Sequence, residues 1–258
     1  MNRYMNGFRQ YRYLLMELVK KGIKLKYRRS YLGIIWTLIE PLLQMIVLTI
    51  VFGTLFGTKD KAFPVYILSG RLLYGFFSSA TNSAMRAIRA NSAMIKKVYV
   101  PKYLYPLSNV LYNYVIFLIS LIVLAVVSVV LGVYPTWNLV WALIPLFLIL
   151  VFSLGVGMIL GTVAVFFRDL EYLWGVALML IMYTCAIFYY PERLLKSGYG
   201  MILKLNPLYC MIANFRSAIF NDPMHWKMMG YSAVCSVVVL IVGFYLFYRN
   251  QDKFILHI

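Results

Sequence analysis

Apolar residues in this chain come in long blocks, not in strand-like alternation. Six blocks approach or exceed the roughly 20 residues that a helix needs to cross a bilayer. They cover 34–56, 63–84, 105–131, 138–166, 172–190 and 228–248. From Tyr103 to Phe167 there is no Asp, Glu, Lys or Arg. Gly132-Val133-Tyr134-Pro135-Thr136 interrupts that stretch with turn chemistry, which predicts two spans joined by a tight hairpin. Ahead of the first block, Phe8, Tyr11, Leu14, Leu15 and Leu18 recur at helical spacing, with Arg9, Arg12, Lys20 and Lys21 between them. This predicts an amphipathic helix over 8–28, lying on the cytoplasmic leaflet in preference to docking on protein. Residues 191–227 are broken by Pro191, Gly198, Gly200, Pro207 and Pro223, leaving apolar patches at 201–205 and 208–220. Each is too short to cross. They fit two shallow re-entrant helices, with a compact extracellular loop as the alternative. The expected fold is an all-α polytopic membrane protein with one transmembrane domain over 1–258. It has a cytoplasmic interface segment (1–33), a six-helix bundle (34–248) and a cytoplasmic tail (249–258).

Composition agrees and adds a direction. Hydrophobic residues make up 63% of the 258 and charged ones 13%, against about 25% charged in soluble domains. The mean hydropathy is +0.79. A soluble enzyme, a disordered basic protein and a secreted disulfide scaffold are excluded. Lys and Arg outnumber Asp and Glu 25 to 8, for a net charge of +17. Seventeen of the 25 fall before the first block, between blocks two and three, between four and five, or after the sixth. By the positive-inside rule that side, and both termini, are cytoplasmic. The early bases precede no apolar core within the first 30 residues, so a cleavable signal peptide is not expected. Cys185, Cys210 and Cys235 have no metal or redox spacing and read as small buried hydrophobes.

The chemistry-bearing residues are few. There is no phosphate loop, no HExxH, no GxSxG and no catalytic or metal-binding set. No nucleic-acid partner is expected, because the charge is a topology signal. Glu40-Pro41 lies inside the first block. Proline removes a helix hydrogen bond there, and Glu40 is expected to face a pore or pair with a base such as Arg71. Arg71, inside the second block, pairs or snorkels outward. Arg168-Asp169 makes the turn between blocks four and five, as a helix cap and charge anchor or as a gating pair. Gly157 and Gly161 permit close helix contact without naming the partner. Aromatics make up 17% of the chain; flat rings with polar tips suit sugar faces, although core packing explains most of them.

Two longer stretches carry a resemblance. One is Lys24-Leu25-Lys26-Tyr27-Arg28-Arg29-Ser30-Tyr31-Leu32-Gly33-Ile34-Ile35-Trp36 with Glu40-Pro41-Leu42. The other is Met94-Ile95-Lys96-Lys97-Val98-Tyr99-Val100-Pro101 with Pro106-Leu107. With Phe166-Phe167-Arg168-Asp169-Leu170 and Asn206-Pro207-Leu208, they make the chain resemble the permease subunit of type-2 ATP-binding-cassette exporters for polysaccharides. The resemblance implies transport of O-antigen, capsular, rhamnan or teichoic acid polymers across the inner membrane of a bacterium. It also implies a homodimer with two separate ATP-binding subunits, which hold the ATP and Mg, and an undecaprenyl-type lipid-linked glycan. This chain would carry no cofactor of its own. Residues 89–101 would hold the ATPase-coupling helix, with Arg89, Met94, Lys96, Lys97, Tyr99 and Pro101. Lys24, Lys26, Arg28 and Arg29 would meet lipid head groups or pyrophosphate. Trp36, Phe52, Tyr183, Phe188 and Tyr189 would line the channel, and Glu40, Arg71, Arg168 and Asp169 would be structural or gating charges.

Three rivals differ in testable ways. A type-2 exporter of a drug or lipid shares the architecture. An ion-coupled carrier wants midplane acids or inverted repeats. A membrane enzyme wants clustered acids or histidines, which the eight scattered acids do not supply.

Overall fold

The computed structural model describes residues 2–28, 30–57, 60–97, 100–134, 136–192 and 200–256, with side chains from Tyr11 onward. Among the described residues every regular element is helical. In chain order they are α1 (Asn2–Tyr27), α2 (Trp36–Phe56), α3 (Phe63–Ala90), α4 (Ser92–Ile95), α5 (Leu104–Val130), α6 (Leu143–Phe166), α7 (Leu170–Thr184), α8 (Gly200–Leu205), α9 (Pro207–Phe220) and α10 (Trp226–Asn250). Short 3-10 turns precede α2 and α6 and follow α10.

Helix α3 is the central post. It packs against α2, α5, α6, α7 and α9. It spans 28 residues, about 42 Å at 1.5 Å per residue. Gly157 and Gly161 of α6 face it: an ideal Cβ on Gly157 would sit 2.8 Å from the Ala84 Cβ, and one on Gly161 3.0 Å from the Ala84 carbonyl oxygen. Those two glycines therefore serve contact within the chain. The α6–α10 pair is as close, since a Cβ on Gly155 would lie 2.6 Å from the Leu240 backbone nitrogen.

Four segments are long and apolar enough to cross a membrane, by length and composition: Gly33–Phe56, Leu104–Val130, Trp137–Phe166 and Trp226–Leu256. The other two expected spans do not meet that measure. Helix α3 is long enough, but Arg71, Gly75, Ser79, Ser83 and Arg86 recur every three or four residues and give it one polar face. Helix α7 is apolar, but it stops at Thr184 after 15 residues, about 22 Å. The 172–190 block is therefore not one helix. Its last part turns at Ala186, whose φ is 48°. The carbonyls of Ala186 and Ile187 bond to Arg216, and that of Tyr189 to Tyr66.

The amphipathic α1 does dock on protein. Leu15 is buried, Leu18 packs against the cluster of Ile95, Tyr105 and Phe247, and α1 rests on α5. Tyr13, Met16 and Leu25 stay exposed. Helix α9 is buried over most of its length against α3, α6 and α10, so it is no surface helix.

Pro41 leaves the Thr37 carbonyl without its helical donor. Ser120 of α5 supplies the replacement: its hydroxyl donates to the Thr37 oxygen at 3.0 Å, sharing the proton with Ile116 O at 3.0 Å. Both Thr37 and Ser120 are buried. Ser120→Ala should lower thermal stability in detergent by about 1–3 kcal/mol, the usual cost of an orphaned buried carbonyl. The same change on a Pro41→Ala background should cost clearly less, because the helix then satisfies Thr37 itself. Equal losses on both backgrounds would refute the assignment.

Candidate translocation and coupling surfaces

Three groups of residues stand apart from plain packing. The first lies at the end of the bundle formed by the C-terminus of α3, α4 and the N-terminus of α7. Glu171 accepts from Arg86 at 3.0 Å and forms a second ion pair with Arg89. Glu171 and Arg89 are about a quarter exposed, so water does not screen their pair fully. Arg89 is thus committed within the chain. One turn on, Met94, Lys96 and Lys97 are exposed and Pro101 is half-buried, while Tyr99 lies outside the described residues. The expected coupling helix is the single turn Ser92–Ile95. Lys102 ties the next helix start to the chain end, donating to the Gln251 carbonyl at 2.6 Å. Arg168 and Asp169 are exposed; Asp169 is the N-cap position of α7, but its side chain makes no cap bond.

The second group is a polar relay between α2 and α3. Arg71 Nε donates to Gln44 Oε1 at 3.1 Å, and Gln44 Nε2 donates to Glu40 Oε1 at 3.2 Å. Glu40 and Arg71 do belong together, bridged by an amide. Glu40 is exposed rather than buried, and Arg71 turns into the protein, 5.8 Å from the Tyr74 ring centre. A cavity of about 150 Å³ borders all three, along with Lys26 and Ser120. Lys26 lies over the Tyr27 ring. Desolvation holds its ammonium below the usual lysine value, partly offset by Glu40. The Tyr27 phenol is pushed up to about 12 by desolvation and then by Glu40. Lys24 and Arg28 are exposed, and Arg29 lies outside the described residues.

The third group is aromatic. Phe52 stacks on Phe188 at 4.7 Å between ring centres, Tyr183 meets Phe188 edge-on, and Tyr189 donates to the Tyr183 carbonyl. Four of the five expected channel aromatics converge here. Phe188 is only 6% exposed and offers no free face, whereas Tyr183 is half exposed. Trp36 stands apart, 16 residues before Phe52 on α2, or about 24 Å along its axis.

Arg216 on α9 is the most deeply placed charge among these residues. It is 6% exposed and has no carboxylate partner in the structure described. Its guanidinium donates to the carbonyls of Ala186 and Tyr66, both at 2.9 Å, and lies 3.4 Å from the Tyr66 ring centre. Asn214, also buried, accepts from the His225 backbone N–H at 2.9 Å and pins the approach to α10. The readable signal was an arginine and an asparagine inside the apolar run 208–220, where polar side chains are costly unless partnered.

The sequence profile of the ABC-2 type transporter family matches residues 13–220. The chain belongs to that family. An O-antigen export system permease protein, RfbA, from Klebsiella pneumoniae is 28% identical over 243 residues, covering 93% of each chain. Its Myxococcus xanthus namesake is 29% identical over 257 residues, covering 98% of each. The polysialic acid transport protein KpsM of Escherichia coli is 24% identical over 252 residues, covering 96% of this chain and 97% of that one.

Arg216→Leu should take a donor from the Ala186, Tyr66 and Ile187 carbonyls; the first two keep the Tyr66 and Ser69 hydroxyls, so the loss should total roughly 1–3 kcal/mol. The expected result is a clear fall in melting temperature and in detergent-extractable yield. Wild-type melting would show that the guanidinium holds nothing.

Proposed function

We propose that this chain is the channel-forming subunit of an ATP-driven exporter that moves a polysaccharide across the inner membrane of a bacterium. The observation that carries the reading is the end-to-end match, within one transporter family, to relatives named for O-antigen export and polysialic acid transport. A polymer exporter needs a long path, a partner for energy and a face for that partner. Helices α2 and α7 each bury a single residue in this chain, Thr37 and Leu178. Their remaining apolar faces suit a second copy of the chain, with the channel between the two. Tyr183 then presents a half-exposed ring to the passing sugars.

Two separate ATP-binding subunits supply the energy and bind the ATP and Mg. Exposed Met94, Lys96 and Lys97 on the single turn after α3 form the docking face. The ion pairs of Arg86 and Arg89 with Glu171 tie that turn to the start of α7. Motion imposed at the turn therefore reaches a channel-bordering helix directly. The substrate is a lipid-linked glycan of undecaprenyl type, gathered by the basic first helix at the cytoplasmic surface, where both termini lie.

Lys96→Glu with Lys97→Glu should abolish surface polysaccharide and raise the intracellular pool of its lipid-linked form, with protein level and melting temperature unchanged. Glu171→Gln should reduce export severalfold while co-purification of the ATP-binding subunit persists, because it cuts transmission rather than docking. Cells lacking the chain that keep normal surface glycan but lose resistance to a drug would favour the drug-exporter reading instead.

A further inference from the structure

We propose that the cavity enclosed by α5, α6, α9 and the 3-10 turn Trp137–Ala142 is a binding site for a compact, uncharged hydrophobe taken up from the membrane. The cavity is about 350 Å³, within the range of ligand sites. An apolar cavity of roughly 150 Å³ stays dry and takes benzene; this one has room for a molecule of two rings. Leu124, Leu146, Phe215 and Ile219 line it and are buried. Among the described residues none on the lining is charged, and the single polar side chain there is Ser128. Its hydroxyl donates to the Leu124 carbonyl of its own helix at 2.7 Å. A buried water needs about two to four polar partners, and the lining side chains offer one hydroxyl whose proton is already engaged. An ion would lose its hydration there and gain no partner. A hydrocarbon has no such hydration to lose, and it gains contact with the walls.

The mouth of the cavity is apolar too. Val129, Leu139 and Leu143 border it and are exposed, and they belong to two segments apolar enough to cross a membrane or to the turn between them. Trp137, on the same turn as Leu139, is 91% exposed; such a ring suits head-group depth. A solute dissolved in the hydrocarbon region therefore reaches the mouth without meeting water. Size decides between occupants. The α5 wall runs from Leu121 to Val129, about 12 Å at 1.5 Å per residue. A lipid tail fills about 15 Å of a leaflet, so part of it would stay outside, whereas a compact molecule enters whole. Phe215 and Ile219 sit on α9 before and after Arg216, whose guanidinium holds the end of α7. An occupant bears on α9 at that point and braces it against α5 and α6. Binding requires neither transport nor a partner subunit, so the inference stands or falls apart from the exporter reading.

The test uses the full chain in lipid nanodiscs and a naphthalene carrying a photoreactive diazirine, with labelled residues identified by mass spectrometry. Simple partition into lipid labels outward-facing side chains and does not saturate. Binding should label Leu124, Leu146 or Phe215, and excess naphthalene should compete that labelling away and raise the melting temperature. Naphthoate and naphthylmethylammonium, of similar shape but charged, should compete poorly. Ser128→Leu fills the cavity and frees no partner, because the serine bonds only within its own helix. It should weaken the competed labelling about tenfold, the effect of losing roughly 1.4 kcal/mol, with melting at or above the wild-type temperature. Ala142→Leu fills the same space from the turn and serves if the first variant does not fold. Labelling that naphthalene cannot compete, equal competition by the charged analogues, or wild-type labelling in a folded variant would overturn the proposal. Stronger competition by n-decanol than by naphthalene would also overturn it, in favour of a lipid tail.

Discussion

Backbone polar groups in a membrane-embedded bundle must find partners inside the protein, because lipid offers none. The two most consequential departures from regular helix in this chain both obey that demand through a side chain from another element. At Pro41 the orphaned Thr37 carbonyl is met by the Ser120 hydroxyl. Where α7 ends, the carbonyls of Ala186 and Ile187 are met by Arg216. The second case sets the form of the whole far end of the molecule. One guanidinium holds the end of α7, a turn of α3 and the body of α9 around the Tyr66 ring. An arginine suits this because its planar fork of donors can meet several carbonyls at once. A lysine would offer a point charge and a poorer fit.

The polar face of α3 follows from the same economy. A helix with arginines and serines along one side cannot lie in lipid on that side, so α2, α5 and α1 cover it. The cover is incomplete, and the gaps are the two cavities that share Lys26, Ser79 and Asn113 on their walls. The polar groups that make α3 a weak membrane span by composition are thus the ones that give the interior of the chain its chemistry.

Much of the fold could be read in the sequence, and the misses share a cause. The hairpin after the third block and the glycine pair of α6 followed from spacing and residue type, which are local quantities. The end of α7 was not visible, because residues 185–190 remain apolar and only a partner 30 residues away, Arg216, draws their carbonyls out of helix. Glu171 is an acid at a helix start, where the dipole favours it. Its two arginines lie more than 80 positions earlier, and no periodicity links them. The docking of α1 was a matter of degree. Its stripe fits lipid or protein equally well until Gly22 is seen lying against the Tyr112 ring, where an ideal Cβ could not fit.

The distribution of tight and loose packing carries a last consequence. Helices α3, α6 and α10 meet at glycine and alanine contacts with no room for an added methyl, and densely packed interfaces resist continuous deformation. Helix α7, by contrast, is held to α3 by a few polar ties: Glu171 to Arg86 and Arg89, Trp174 to Thr81 at 3.2 Å, and Tyr74 to the Leu178 carbonyl at 2.8 Å. Polar ties can exchange partners at modest net cost, whereas interlocked backbone contacts cannot. If this chain rearranges, the inexpensive motion is α7 shifting on a fixed α3–α6–α10 block. The ion pairs of that helix lie beside the exposed Lys96–Lys97 turn.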